Sequence, residues 1–210
     1  MHLEAIKDYE EAEHVYSKGL VKHTGNPTIL HRLVALKLSR GDVPGALQEL
    51  NEHLKVHMTD IAAWEQAASL YLQLGQVPQA IFCLEEIVMH QPGNLNALLL
   101  LADSLYSLGG EKNVLTAQKV YSGIIEVTNG NHVRALYGLC LCASQLSTAT
   151  SSSSGLKKAG KSVVKSPPSA LSTLAADALL QQYALKNSPR VPLVKAMLIS
   201  QNLLPSSTGH

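Results

Sequence analysis

Aromatic residues are scarce in this sequence. Its 210 residues include one Phe and one Trp beside seven Tyr. Leu and Ala must therefore supply most of the core, and a Leu/Ala-rich chain with few β-branched and aromatic residues favours helix over sheet. Cysteine is equally sparse. Three residues, an odd number, make no disulfide framework, which points to a reducing compartment. Cys140 and Cys142 form a C-x-C pair, but helical positions two apart point to different faces, so a metal or redox role gives way to ordinary buried thiols. Charge of either sign is not in excess. The formal net charge is +1, too near neutral to make nucleic acid or an anionic membrane the main partner. Long apolar runs are also missing. The richest, Leu95 to Leu108, is broken by Asn96, Asp103 and Ser104, short of the 18 or so residues a spanning helix needs. Met1 to Asp8 lacks the basic start and apolar core of a secretory leader. H-E-x-x-H, G-x-S-x-G and P-loop patterns do not occur.

The sequence does contain a period. Gly41-Asp42-Val43-Pro44 returns 34 residues later as Gly75-Gln76-Val77-Pro78, and Leu30, Leu33 and Leu50 match Trp64, Ala67 and Leu84. A fixed period of this length means stacked helical hairpins. Trp64, Ala67, Ala68 and Tyr71 fall at helical spacing along a first helix. Gly75 can stop that helix with φ > 0, and Pro78 sits where a second helix starts and a missing N–H costs nothing. Ala80, Leu84 and Ile87 line the second helix, and Pro92-Gly93-Asn94 ends it. Ala67, Ala68 and Ala80 let the pair approach closely while Trp64, Tyr71 and Leu84 fill the space between. The order Trp, small, small, Tyr, Gly, Ala, bulky, Pro resembles the tetratricopeptide consensus, and the expected fold class is an all-α solenoid of antiparallel hairpins.

On this frame residues 27–60 and 61–94 are two repeats, and 95–131 is a third whose second-helix face (Ala117, Tyr121, Ile124) comes three residues late. The extra residues fall within Gly109 to Asn113 and are expected to lengthen the turn. Residues 1–26 read as a partial repeat, with Ala12 and Tyr16 in register with Ala46 and Leu50. Counting back, its first helix would begin before Met1, so either the chain lacks an N-terminal part or the first helix is a worn-down cap; the first is the expectation, because an exposed apolar solenoid end needs a polar cap. Residues 132–146 are the first helix of a further repeat. Residues 147–169, rich in Ser and containing Pro167-Pro168, read as a mobile loop, and 170–204 as C-terminal helices, the last from about Pro192 to Leu203.

Chemistry-bearing residues are few. His53 and His57, four apart on a helix, could chelate a metal, but no third ligand is apparent and a solvated helix face is the plainer reading. Glu85 and Glu86 are helix neighbours that do not face one another. Lys157, Lys158, Lys161 and Lys165 could touch phosphate or lipid head groups, or lie near a phosphorylation site, but the commoner role of such lysines is to keep a loop hydrated. No residue is assigned as catalytic, metal-binding or cofactor-binding. The exposed flank of the first helices should include His31, Ala35, Glu65, Ser69, Gln73, Leu99, Asp103 and Tyr106. Leu99, Tyr106 and Tyr137 are the expected partner anchors. Tetratricopeptide co-chaperones that hold a peptide carboxylate use Lys, Arg and Asn at such positions. Here Glu65 and Asp103 would repel it.

A more specific likeness follows from Ala46-Leu47-Gln48-Glu49-Leu50-Asn51-Glu52-His53-Leu54, Ala63-Trp64-Glu65, Phe82-Cys83-Leu84-Glu85-Glu86, Gly109-Gly110-Glu111 and Arg134-Ala135-Leu136-Tyr137-Gly138-Leu139. Over about residues 45–146 the chain resembles the family of subunit 2 of the endoplasmic reticulum membrane protein complex. The resemblance implies a cytosolic, non-catalytic scaffold of an insertase for tail-anchored and other transmembrane proteins. It would be peripheral on the endoplasmic reticulum membrane and would brace other protein subunits without nucleic acid, a small-molecule substrate or a span of its own. Family members carry further repeats before the position of Met1, and the stretch Ser147 to Ser169 departs from their pattern. A generic tetratricopeptide adaptor in another soluble assembly is the alternative. An enzyme would need a pocket of converging polar groups that the pattern does not supply.

Overall fold

The computed structural model describes residues 9–22, 26–153, 170–186, 188–201 and 203–204. They form ten α-helices: α1 (Tyr9–Lys22), α2 (Pro27–Ser39), α3 (Val43–Val56), α4 (Ile61–Gln73), α5 (Val77–His90), α6 (Leu95–Leu108), α7 (Glu111–Val127), α8 (Val133–Ser153), α9 (Ala170–Leu185) and α10 (Val191–Ser200). No strand occurs among the described residues. The fold class is the all-α tetratricopeptide type expected from the period.

The period has a local cause at every boundary. Asn26, Asp60 and Asn94, spaced 34 apart, are the N-caps of α2, α4 and α6. Their side chains accept backbone N–H bonds from Thr28, Ala63 and Ala97, satisfying donors that the first helical turn leaves open. At the other end, Gly41, Gly75 and Gly109 have φ of 79°, 71° and 73°. After α2 and α4 the turn closes with paired bonds: Gly75 N–H donates to the Leu72 carbonyl and Gln76 N–H to the Tyr71 carbonyl, and Gly41 and Asp42 do the same to Leu38 and Lys37. This closure requires a left-handed residue, which glycine supplies without a Cβ clash. Pro44 and Pro78 then stand in the first turns of α3 and α5.

The chain divides into two compact units, Met1–Gly93 and Asn94–His210. In the first, α1 packs on α2, α2 on α3, α3 on α4 and α4 on α5. Leu30, Leu33, Ala46, Leu50, Ala67, Ala80 and Ile87 are almost wholly removed from water. In the second, α6 packs on α7 and α8, α7 on α8, α8 on α9, and α9 on α10, around Ala102, Ala117, Tyr121, Ile124, Leu136, Cys140 and Leu179.

Two expectations are corrected. The three extra residues of the third repeat do not lengthen its turn. Gly109-Gly110 is all that separates α6 from α7, and α7 has 17 residues where α5 has 14. The insertion is an added helical turn, Glu111-Lys112-Asn113. Three residues are nearly one turn, so the buried face of Ala117, Tyr121 and Ile124 is preserved, and Glu111 is favoured at a helix N-terminus. The Ser-rich stretch is likewise not wholly loop. Helix α8 continues through Ser153, because propagating a helix already nucleated on a packed face asks little of Ser and Thr. Residues 154–169, with the four lysines, lie outside the described residues.

Candidate functional site

In the first unit, Glu65, Ser69 and Gln73 lie four apart on α4 and all three are exposed, as one stripe of a helix must be. Ser69 is tied locally, its hydroxyl donating to the Gln66 carbonyl. Gln66 in turn stands 3.1 Å from His31 Nδ1 on α2. Of the residues assigned to packing, Trp64, Ala80 and Leu84 are buried. Tyr71 is half-buried, its hydroxyl accepting a 2.9 Å bond from the Asn51 amide. Gly75 holds its positive φ, and Pro92 is exposed beyond the end of α5.

The His53 and His57 pair is not a solvated face. His53 is buried, its Nε2 lies 2.9 Å from an Asp60 carboxylate oxygen, and its ring centroid is 4.8 Å from that of His57. Asp60 thus holds His53 with one oxygen and caps α4 with the other. Among the described residues no group of three or more His, Cys, Asp or Glu is placed to hold a metal. Burial pushes the Asp60 carboxyl up, but the hydrogen bonds from His53 and from the Ala63 N–H, with the charge of His53, outweigh it and leave it below the usual carboxylate value. The native state therefore binds this proton more weakly than the unfolded chain. Its contribution to stability is present above the unfolded value near 3.8 and is lost as pH falls through the lower folded one. Asp60→Asn keeps a capping oxygen but loses that charge. Melting temperatures of wild type and Asp60→Asn should differ at neutral pH and converge as the solution is acidified below about pH 4. A gap that stayed constant would show that the pair does not act through ionisation.

Sequence reasoning missed an apolar groove of about 780 Å³ between α3 and α5, floored by α4. Leu54, Lys55, Met58, Trp64, Phe82 and Glu86 line it. Met58 is 63% and Phe82 56% exposed, and Phe82 stands edge-on to Trp64 with centroids 5.9 Å apart. The signal was available: Phe82 is two residues from both Ala80 and Leu84 of the Ala80, Leu84, Ile87 stripe, which turns it away from the core.

In the second unit Leu99 is buried, at 4% exposure. That overturns its reading as an exposed anchor. With α7 and α8 both packed on α6, more than one stripe of α6 is covered, and Ala97 and Leu99 join Leu101, Ala102 and Leu105 in the core. Asp103 is not a bare acid either. It accepts hydrogen bonds from the Tyr121 hydroxyl and the Arg134 guanidinium, so its charge is compensated and the repulsion expected of it is reduced. Tyr106 and Tyr137 are half-buried, and Tyr137 meets Tyr183 of α9 edge-on at 6.3 Å. Burial first, and the bond with Tyr183 second, raise the Tyr137 phenol above its ordinary range. The thiols are inert by the same physics. Burial pushes Cys83 and Cys140 up to about 11 and Cys142 to about 12, so all three stay protonated at neutral pH.

These surfaces can be set beside known proteins. The ER membrane protein complex subunit 2 of Xenopus tropicalis is 30% identical over 158 residues, which is 75% of this chain and 53% of that protein. The chain thus spans about half the length of the curated relatives it matches. Among solved structures, the MamA protein superposes with a TM-score of 0.58 at 17% identity, covering 89% of this chain and 88% of its own. A tetratricopeptide repeat protein from Parabacteroides merdae gives 0.55 at 19%, covering 96% and 78%. At these identities both speak for the fold alone. No described helix is long and apolar enough to cross a membrane. The family model described as the EMC2 TPR-like repeat domain matches residues 1–107, reaching further toward the start than the motifs at 45–146 suggest. The chain therefore belongs to the EMC2 TPR-like repeat domain family.

Proposed function

We propose that this chain is a non-catalytic scaffold subunit of the endoplasmic reticulum membrane protein complex. It sits peripherally on the cytosolic side of the membrane and supports insertion of transmembrane and tail-anchored proteins. Membership of the EMC2 TPR-like repeat domain family carries the reading. Its surfaces suit it, because contiguous exposed apolar residues such as Met58 and Phe82 mark protein interaction sites, and repeat proteins use extended faces of stacked helices for binding. The mechanism is contour and buried area. A stable interface needs about 1,200–2,000 Å² in total, with a few Tyr, Trp or Arg anchors dominating. Glu65, Ser69 and Gln73 in the first unit, and Asp103, Tyr106 and Tyr137 in the second, are the residues proposed to meet partners.

Affinity purification from detergent-solubilised endoplasmic reticulum membranes tests this. Membrane-spanning proteins are expected to come with the tagged chain. Recovery of soluble proteins alone would overturn the proposal and leave a generic tetratricopeptide adaptor in its place.

A further inference from the structure

An aromatic-poor chain places its only Phe and its only Trp against each other in the groove between α3 and α5. The repeat does not require this. The counterpart of Phe82 34 residues earlier is Gln48, and that of Met58 34 residues later is Pro92. Both apolar side chains are therefore particular to this hairpin. Both stand more than half in water, beside Leu54 and Trp64, which are buried. The groove is open because α3 and α5 each pack on α4 without packing closely on one another. It continues into a second hollow of about 540 Å³, which shares Asn51, Lys55 and Tyr71 with it and reaches Pro44. The channel thus follows the length of α3, 14 residues or about 21 Å. It lies on another side of α4 from Glu65, Ser69 and Gln73, none of which lines it.

Shape and charge together select an occupant. Three helices wall the channel, so no sheet edge is offered for an extended peptide to pair with. An extended segment would leave its own N–H and C=O groups unpaired against Leu54, Trp64 and Phe82. A helix satisfies its own backbone and can lay a stripe of apolar side chains into such a groove. The flexible thioether of Met58 adapts to the shape of that stripe. The charged lining is acidic on balance. Glu52 and Glu86 stand against Lys55, and Glu85 is exposed beside Glu86. None of these four has a salt-bridge partner among the described residues. Residues 1–93 as a whole carry seven Lys and Arg against twelve Asp and Glu. We infer that the α3–α5 channel receives an amphipathic helix of a protein partner, about 14 residues long, whose apolar stripe is flanked by Lys and Arg. The same carboxylates would repel an anionic bilayer or a nucleic acid.

The test is titration of the full chain with three capped peptides, each about 14 residues long and free of Trp. The readout is the fluorescence of Trp64, the single indole of the chain. The first peptide carries leucines at helical spacing flanked by lysines. The second has the same residues scrambled so that no stripe forms, and the third has the leucine stripe flanked by glutamates. Saturable binding is expected for the first, tighter than for either of the others, and weakening as salt is raised. Phe82→Ser with Met58→Ser should loosen it about tenfold or more. Glu52→Lys with Glu86→Lys should transfer the preference to the glutamate-flanked peptide. Melting curves that match wild type establish that each variant is folded. If Phe82→Ser lowers the melt through its contact with Trp64, Met58→Ser alone reads the groove. No binding of the first peptide, equal binding of the scrambled one, or wild-type affinity in the serine variants would overturn the inference. So would dimerisation of the free chain that the serine variants abolish, because a second copy would then be the occupant. Peptide binding needs only the isolated chain, whereas co-purification needs the proposed assembly, so the two can fail separately.

Discussion

Trp64→Ala is expected to lower the unfolding free energy by about 3–5 kcal/mol, the range for deleting a large core side chain, and the melting temperature by roughly 6–20 °C for a chain of this size. The indole is 8% exposed, fills the space between α4 and α5, and donates its N–H to the Met58 carbonyl at 2.8 Å. Met58 lies in the turn from α3 to α4, so one side chain both fills a hairpin and fastens it to the preceding one. Alanine leaves a void and an unpaired carbonyl together. Trp64→Phe restores most of the volume but not the bond, and should cost about 1–3 kcal/mol. A thermal melt of the purified alanine variant that coincides with wild type would refute this packing account.

Gly138→Ala is the second. In an isolated helix interior alanine would gain roughly 1 kcal/mol over glycine. Here an added Cβ would lie 2.3 Å from Tyr121 Cζ and 2.6 and 2.7 Å from its ring neighbours. The ring has nowhere to retreat: Tyr121 is 2% exposed and its hydroxyl is held by Asp103, which also takes Arg134. Overpacking of this kind costs about 1–3 kcal/mol net and at times more, so the overlap outweighs the propensity gain and the variant is destabilised. Placing Tyr121→Leu in the Gly138→Ala background removes the colliding atoms. A denaturant double-mutant cycle should then show favourable coupling. Additive losses would mean that the contact is not what limits the site.

A one-dimensional period carries only what acts locally along the chain. Glycines at 41, 75 and 109 and caps at 26, 60 and 94 act on neighbours a few residues away, so the repeat and its turns were legible. The added turn of α7 was misplaced because two glycines suggest loop, while Glu111 at the start of a helix was the better signal. Leu99 was misjudged because one apolar stripe describes a helix with one neighbour, and α6 has two within its unit. The bond between His53 and Asp60 and the pairing of Asp103 with Tyr121 and Arg134 were out of reach, since they join side chains across turns or between helices that no spacing rule connects.

The proposed function has this chain work by the contour of its paired helices within a membrane-protein complex. The most direct measurement compares recovery of membrane-spanning proteins from solubilised endoplasmic reticulum by the wild-type chain and by a Tyr106→Ser, Tyr137→Ser variant with the same melting curve. The account predicts that wild type retrieves them and that the surface variant retrieves markedly fewer. Retrieval of none by wild type, or equal retrieval by both, would contradict it.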